Sequence, residues 1–346
     1  MGLTSNLSEQ PSITMTTPIF ILSLPRSGST LLQRLLLSSG ECASTGETSL
    51  LLRFVGNSQT VQRYANYRES NLELSFRDLC DHHPDFPEVY SQTIRSSMLK
   101  LYSHLAGDKR YYIDKTPRYT LIANEIRQFF PDAKIVVLWR HPLAIASSIS
   151  KTFFKGRWVF DDFMVDFDTG LDRLYAFSQT HANSICCVHY ETLIKNPEQE
   201  LKKLSEYLDC ATLCQDTSLK LPEIKGTLGD PTRHSKGTSI NSTGSENWKL
   251  DYTNWYRKQW ARRIYTPQRR EWLNTLGYGL PDCIAPSTTP KNLIEGYQEW
   301  RYHRKKMRKG LRLMQQIFKQ HHISPYGVSP PKQGNGEASE LDSQSI

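Results

Sequence analysis

Two short segments of the chain combine cationic and hydroxyl side chains in a way that suits phosphate or sulfate oxygens. The first reads Pro-Arg-Ser-Gly-Ser-Thr and occupies residues 25–30. Arg26 supplies a planar guanidinium fork, and Ser27, Ser29 and Thr30 supply hydroxyl donors. These residue types in one short run predict the binding of an anion.

The first segment lies between a predicted strand, Ile19–Leu24, and a run of leucines at helical spacing from Leu31. A loop in this position aims backbone N–H groups and a helix N-terminus at one point. Gly28 would let a ligand approach the main chain closely. The segment lacks the glycine spacing and the lysine of a Walker A loop. The alternative interpretation is an ordinary turn with an N-capping serine.

The second segment, Arg140-His141-Pro142, follows the apolar run Ile135–Trp139, and Ser147 and Ser148 come two turns into the next predicted helix. Ligands of open α/β sheets bind at the carboxyl ends of the strands. A strand-end arginine alone is more often a surface residue. Together, the two segments predict a ligand that carries phosphate groups at both ends.

The elements around these segments alternate between strand and helix. Further strands are predicted at Tyr111–Ile113 and Ile185–Val188, and helices at Tyr119–Phe130, Leu143–Phe154 and Asn196–Leu208. A long segment after Phe160, to about Thr180, also has helical periodicity. This order predicts an α/β fold with a mainly parallel central sheet flanked by helices. We expect a disordered N-terminus over 1–17, one domain over 18–285, a basic helix over 286–324 and a disordered tail over 325–346.

Composition narrows the class of protein. No apolar run in the 346 residues approaches the roughly 20 needed to span a bilayer, and the first 17 residues lack the pattern of a signal peptide, so we expect a cytoplasmic protein. The seven cysteines show no paired spacing, which favours reduced thiols over disulfides or a zinc site. No metal is expected.

The net charge of +8 is concentrated near the C-terminus. Seven basic residues and no acidic ones lie in Arg301–Arg312, within a predicted helix whose apolar residues recur every three or four positions from Leu293 to Phe318. We favour packing of this apolar stripe on the domain. A peripheral membrane contact or a homodimer through the same helix is the alternative, and nucleic acid is not expected as a partner.

The motifs resemble those of sulfotransferases that use 3'-phosphoadenylyl sulfate. PRSGST resembles the family's 5'-phosphosulfate loop, and LWRHPLAIASS resembles its 3'-phosphate motif, with Arg140 and Ser148 in the binding positions. Gly-Glu-Thr at 46–48, Asp-Lys-Thr-Pro at 114–117 and His-Tyr-Glu at 189–191 are similar to the branch that includes tyrosylprotein and carbohydrate sulfotransferases. The resemblance covers about residues 18–278 and implies a P-loop-like three-layer fold.

The resemblance also implies roles for individual residues. Glu47 would accept the proton of the acceptor hydroxyl, and Lys115 and Ser235 would donate to the bridging oxygen of the cosubstrate, 3'-phosphoadenylyl sulfate. The residues expected to bind the cosubstrate are Arg26, Ser27, Gly28, Ser29, Thr30, Arg140, Ser148, Tyr190 and Arg233. The last of these and Ser235 lie in a Gly- and Ser-rich segment, 226–244, that aligns only with gaps.

Simpler interpretations exist for several of these residues. Glu47 could be a charge at the start of a helix, and Lys115 a solvated residue at the end of a strand. His141 is expected to be structural, and His234 is a weaker candidate for the base than Glu47.

The acceptor is not specified by these motifs. Asn247 replaces a lysine of the tyrosylprotein branch, and Thr152 replaces a second arginine, so a tyrosylprotein acceptor is not expected. A carbohydrate, a lipid and a small molecule remain open. Five aromatic residues are expected to flank the cleft, namely Tyr64, Tyr67, Trp158, Phe160 and Phe163. The rival function is a P-loop-type kinase or phosphotransferase, which would need ATP and magnesium.

Overall fold

A computed structural model describes residues 16–55, 69–214, 221–224, 246–286 and 289–320. Its centre is a five-stranded sheet in which every neighbouring pair is parallel, in the order β2-β3-β1-β4-β5. The strands are β1 (Thr17–Leu22), β2 (Cys42–Ser44), β3 (Tyr111–Asp114), β4 (Lys134–Trp139) and β5 (Cys186–His189). The α/β fold predicted from the alternating pattern is confirmed.

Helices follow the strands in the chain. They are α1 (Ser29–Ser38), α2 (Leu51–Phe54), α3 (Glu69–His82), α4 (Phe86–Ala106), α5 (Ala123–Phe129), α6 (Pro142–Phe154), α7 (Leu171–Thr180), α8 (Tyr190–Lys195), α9 (Pro197–Leu208), α10 (Trp255–Ile264), α11 (Pro267–Thr275) and α12 (Pro290–Gln320). Short 3-10 turns connect several of them, including Pro117–Ile122 and Asn247–Asp251.

Both faces of the sheet are buried. Successive residues of β1 point to opposite faces, so Phe20 and Leu22 belong to one apolar cluster and Ile19 and Ile21 to the other. All four are fully inaccessible to solvent. A parallel strand with helices on both faces must be apolar at every position, which explains the uninterrupted apolar runs in the sequence.

The strand order places a reversal of direction at β1. From β1 the chain moves to one side for β2 and β3, and then crosses to the other side for β4 and β5. Thr17 of β1 pairs with Tyr111 of β3, and Ile19 of β1 pairs with Lys134 of β4. Loops that leave neighbouring strands in opposite directions open a crevice at the carboxyl end of the sheet.

Local structure departs from the predictions in three places. Strand β2 has only three residues at the edge of the sheet and no apolar run that would have revealed it. The helix predicted over Tyr119–Phe130 begins as a 3-10 turn and becomes α-helical only at Ala123. The segment after Phe160 is broken by a 3-10 turn and a π turn, Asp166–Gly170, before α7 begins.

The C-terminal helix α12 packs on α10, but not through its apolar stripe. Asn292 accepts a hydrogen bond from the Trp255 amide, at 2.8 Å, and a Cβ on Gly296 would lie 2.3 Å from the Trp255 ring. Glu299 forms an ion pair with Arg257. One turn further along α12, His303 contacts Asp161. Polar and small residues thus form the inner face.

The predicted packing of the apolar stripe is therefore wrong for three of its described members, whereas Trp300 is half-buried. Leu293, Tyr297 and Met307 are 50%, 54% and 44% exposed. The reason is that the partner surface on α10 offers polar groups and a tryptophan ring, which match the asparagine, glycine and glutamate of the inner face. Within the described residues, no helix is long and apolar enough to cross a membrane.

Candidate active site

At the same edge of the sheet, a candidate residue or loop follows the end of each of the five strands. The loop 25–28 follows β1, Glu47 follows β2, Lys115 follows β3, Arg140 follows β4, and Tyr190 follows β5. All of them except Lys115, which is buried, line a cleft of about 550 Å³. The cleft is lined by Pro25, Arg26, Gly28, Ser29, Thr30, Leu31, Glu47, Ser49, Leu52, Thr116, Pro117, Arg118, Arg140, Phe153, Phe163 and Tyr190.

The loop after β1 has the backbone geometry of an anion site. Gly28 is the N-cap of α1, with φ of 92°, and no side chain caps the helix. The serine-capped turn that was the alternative therefore does not form. Arg26 also has a positive φ, 62°, a strained conformation for a residue with a Cβ. Uncapped amides at the start of a ten-residue helix suit an anionic ligand.

Gly28 is required for a second reason, because a ring lies directly against it. A Cβ at this position would be 2.4 Å from Cδ2 of Tyr190. The Arg140 guanidinium lies over the same ring, with its Cζ 4.3 Å from the ring centroid. Contacts of Gly28 and Arg140 with the Tyr190 ring thus link the first loop to the ends of β4 and β5.

The two cationic segments are also linked by hydrogen bonds. Nη1 of Arg140 donates to the Arg26 carbonyl at 2.7 Å, and Nε of Arg26 donates to Oγ of Ser148 at 3.2 Å. Burial lowers the pKa of Arg140. Nε of Arg140 and Oγ of Ser27 are buried and have no hydrogen-bond partner among the residues that the structure describes. Buried donors of this kind are rare, and anionic oxygens would satisfy them.

Glu47 and Lys115 form a close ion pair beside the loop. Nζ of Lys115 lies 2.9 Å from Oε1 of Glu47, and the lysine side chain is 3% exposed. The interpretation of Lys115 as a solvated residue is therefore excluded. Glu47 lines the cleft and precedes Leu51, the first residue of α2, by four positions, which argues against a role as a helix-start charge.

A buried carboxylate that sequence reasoning missed holds the Glu47 loop in place. Oδ1 of Asp114 accepts a hydrogen bond from the Thr48 hydroxyl at 2.9 Å, and Oδ2 accepts from Tyr102 and Tyr119 at 2.7 and 3.0 Å. Burial raises the pKa of Asp114, and these three donors and Lys115 oppose the rise. The available signal was an aspartate at the end of an otherwise apolar strand.

Glu191 organises the loop after β4. Its carboxylate accepts hydrogen bonds from the His141 amide at 3.0 Å and the Tyr278 hydroxyl at 2.9 Å. Nδ1 of His141 accepts from the Leu143 amide and caps α6, and burial lowers the pKa of this histidine to about 4. The geometry gives His141 the structural role that the sequence suggested.

One end of the cleft is apolar. Leu52, Phe153 and Phe163 line it, and the two phenylalanine rings lie 5.3 Å apart. The expectation that Trp158 and Phe160 flank the cleft is wrong. Both are 2% exposed, because they pack around Trp260 in the core.

Several candidates predicted from the sequence lie outside the described residues. They are Tyr64, Tyr67, Arg233, His234 and Ser235. Within the part of the chain that the structure describes, no cluster of three or more His, Cys, Asp or Glu side chains could hold a metal ion.

Comparison with known proteins places the chain in a family. A family model described as the sulfotransferase family matches residues 18–213, more than half of the chain. The chain belongs to the sulfotransferase family, as the two motifs predicted.

The similarity to individual proteins is more distant. The chain is 30% identical to the nodulation protein NoeE of Sinorhizobium fredii over 135 residues, which cover 39% of this chain and 31% of that protein. It is 23% identical to protein-tyrosine sulfotransferase 1 of Danio rerio over 215 residues, or 61% of this chain and 58% of the other. The matched segments thus cover between about a third and about three fifths of the length of these relatives.

Among solved structures, the sulfotransferase domain from the curacin biosynthetic pathway has a similar fold. The TM-score is 0.51 at 21% identity, over 77% of this chain and 99% of that domain. This agreement supports the P-loop-like, three-layer arrangement of the sheet and its helices.

Proposed function

We propose that this protein transfers the sulfuryl group of 3'-phosphoadenylyl sulfate to an acceptor hydroxyl. The observation that carries the proposal is the pairing of two linked cationic segments, around Arg26 and Arg140, with the Glu47–Lys115 pair at one cleft. The first two supply sites for a doubly anionic donor. The ion pair supplies a base and a cation beside it.

The cosubstrate would be held by its two charged ends. Backbone amides of the loop 25–30, with the hydroxyls of Ser27, Ser29 and Thr30, would bind the phosphosulfate end. Arg140 and Ser148 would bind the 3'-phosphate, and Tyr190 keeps the Arg140 guanidinium in position. The unpartnered buried Nε of Arg140 and Oγ of Ser27 fit this assignment. Arg233, outside the described residues, is proposed as a further contact.

The reaction would proceed by in-line displacement at sulfur. The acceptor oxygen forms a bond to sulfur, while the bond from sulfur to the bridging phosphate oxygen breaks. Glu47 takes the hydroxyl proton, and Lys115 donates a hydrogen bond to the bridging oxygen as negative charge develops there. The products are a sulfate ester and 3',5'-ADP. Ser235 is proposed as a second donor to the bridging oxygen.

The acceptor end of the cleft favours a molecule with an apolar or aromatic body. Leu52, Phe153 and Phe163 form its walls, and Phe153 is 43% exposed at its rim. Apolar walls with few polar groups suit a phenol or an alcohol with a hydrocarbon portion better than a free sugar, whose many hydroxyls need partners.

Calorimetric titration with 3',5'-ADP tests the donor site. Wild-type protein should bind this nucleotide without added magnesium. Arg140→Ala should weaken binding by at least about tenfold, because a hydrogen bond to a charged group contributes roughly 1.5–3 kcal/mol.

Arg110→Ala is the matched control, since Arg110 pairs with Asp209 on the surface, and it should bind as the wild type does. Equal affinity of the Arg140 variant would overturn the assignment of Arg140. Tight binding of ATP with magnesium, without binding of 3',5'-ADP, would instead favour a kinase.

A further inference from the structure

The helix α12 presents an exposed face that combines apolar and basic side chains. We define the outer face as the exposed residues Leu293, Ile294, Tyr297, Arg301, Arg304, Lys305 and Arg308. Its apolar members are unusually accessible, at 50%, 59% and 54% for Leu293, Ile294 and Tyr297. Apolar side chains that are clustered and this exposed commonly mark an interaction surface.

Packing on the domain fixes which way this face points. The inner contacts of α12 come from Asn292, Gly296, Glu299 and His303, which recur every three or four residues. The opposite side of the helix therefore faces away from α10. Helical spacing places residues 293, 297, 301, 304 and 308 within an arc of about 80° and along about 22 Å of the axis. The outer face is thus a straight, narrow strip.

The charge of the outer face has one sign. The two carboxylates in α12 are Glu295 and Glu299, and they pair with Lys291 and Arg257 respectively. The outer face itself consists of apolar and basic residues, without a carboxylate among its described side chains. A partner that complements it must be anionic and must also accept apolar side chains.

This combination argues against a second copy of the chain. Pairing two outer faces, each with four basic residues and no carboxylate, would bring together two surfaces of the same positive sign. Like charges in such proximity disfavour association. An anionic lipid surface has no such conflict, because apolar side chains enter the acyl boundary while arginine and lysine remain at the headgroups.

We propose that the outer face of α12 docks on an anionic membrane surface. Tyr297 and Trp300, whose rings lie 5.7 Å apart, have the amphipathic character that favours the water–lipid boundary. Docking does not depend on the enzymatic reaction.

The helix is also connected to the apolar end of the cleft. Nζ of Lys306 lies 5.0 Å from the centroid of the Phe154 ring, which in turn packs 6.1 Å from Phe163 of the cleft wall. Residue 306 lies on the inner side of α12, so in a docked protein about one helix diameter would separate this end of the cleft from the lipid surface.

Co-sedimentation of the full chain with lipid vesicles tests the proposal. We expect binding to vesicles of phosphatidylcholine with phosphatidylserine and little binding to phosphatidylcholine alone, with a loss of binding as salt concentration rises. Arg301→Glu combined with Arg308→Glu should weaken binding to the anionic vesicles by about tenfold or more. Leu293→Ser combined with Tyr297→Ser should weaken it without changing the charge.

Lys100→Glu combined with Lys202→Glu is the matched control, since both lysines are exposed on other helices and the change in net charge is the same. This control should bind nearly as the wild type does. Equal loss in the control and in the α12 variant would overturn the proposal, because it would assign binding to net charge. Failure to bind anionic vesicles would also overturn it, as would a dimer that the Leu293 and Tyr297 substitutions dissociate.

Discussion

At the scale of single residues, the loop that carries Glu47 depends on a carboxylate behind it. Asp114 is fully buried and holds the neighbouring Thr48 through its hydroxyl. Thr116, which follows Lys115, accepts a hydrogen bond from the Ser49 amide at 3.1 Å. The segment after β3 therefore positions the proposed base as well as supplying its cationic partner.

Thr48→Val should separate positioning from binding. The substitution keeps the shape of the side chain and removes the hydroxyl that reaches Asp114. We expect turnover to fall by roughly tenfold, about 1.4 kcal/mol, while the affinity for 3',5'-ADP stays within about twofold of the wild type.

Thr48→Ser should restore turnover, since serine retains the donor. Thr180→Val, at an exposed threonine at the end of α7, is the control and should leave both quantities unchanged. A Thr48→Val protein with wild-type turnover would show that the contact with Asp114 does not position Glu47.

At the scale of elements, the start of α1 and the ends of β4 and β5 form one unit. The positive φ of Gly28 directs the chain into the helix, and its missing side chain leaves space for Tyr190. The Arg140 guanidinium lies over the same ring. A change at any one of the three should therefore disturb the donor site as a whole.

Gly28→Ala should abolish measurable binding of 3',5'-ADP, because the added methyl group displaces the Tyr190 ring and with it Arg140. The left-handed backbone costs about 1–2 kcal/mol in addition. Calorimetry together with thermal unfolding measures both effects.

Gly40→Ala is a close control, since Gly40 also has a positive φ, 75°, and nothing lies within 4 Å of its added Cβ. It should lose similar stability and retain binding. Loss of binding in both variants would refute the role of the Tyr190 contact.

The same elements show what the sequence could and could not predict. The loop 25–30 and the turn at Arg140 were predictable, because a strand, a turn residue and a helix leave a local pattern. Strand β2 left none, since its three residues pair only with β3. Glu47 was predicted as a site residue from the family resemblance, because periodicity gave no indication of it.

Tertiary packing accounts for the predictions that were wrong. Trp158 and Phe160 are as aromatic as Phe163, yet only contact with Trp260 on a distant helix assigns them to the core. In α12, the sequence predicts an apolar stripe. Which side of the helix packs on the domain depends on the residues that α10 presents to it, and the sequence pattern of α12 does not contain this information.

At the scale of the whole molecule, some stability is lost to a buried charge near the cleft. Asp166 is fully buried, and within the described part of the chain its two carboxylate oxygens have no hydrogen-bond partner. Nη2 of Arg118 lies 3.8 Å from its Oδ2. Burial raises the pKa of Asp166 from 3.8 to about 6. The folded protein therefore holds this proton more tightly than the unfolded chain does, and folding stability falls as pH rises from about 4 through about 6.

Asp166→Asn removes the ionisable group and should remove this loss. The gain in unfolding free energy over the wild type should be larger at about pH 7 than at about pH 4, by about 2 kcal/mol. Urea unfolding at the two pH values measures it. Asp162→Asn, at an exposed aspartate, is the control for removal of a carboxylate from the same segment. A gain for Asp166→Asn that is the same at both pH values would contradict this account.

The central claim concerns transfer, and one measurement tests it most directly. Purified protein is incubated with 3'-phosphoadenylyl sulfate labelled in its sulfuryl group and with a polar or an apolar extract of cells. Labelled products are then separated from the donor. The account predicts a labelled ester with the wild type and with Glu206→Gln, an exposed control. With Glu47→Gln, labelling should fall by about a hundredfold or more, while 3',5'-ADP still binds. Full labelling by the Glu47→Gln protein, with normal nucleotide binding, would contradict the assignment of the base. Absence of any labelled product from the wild type across polar and apolar extracts would contradict the proposed transfer itself.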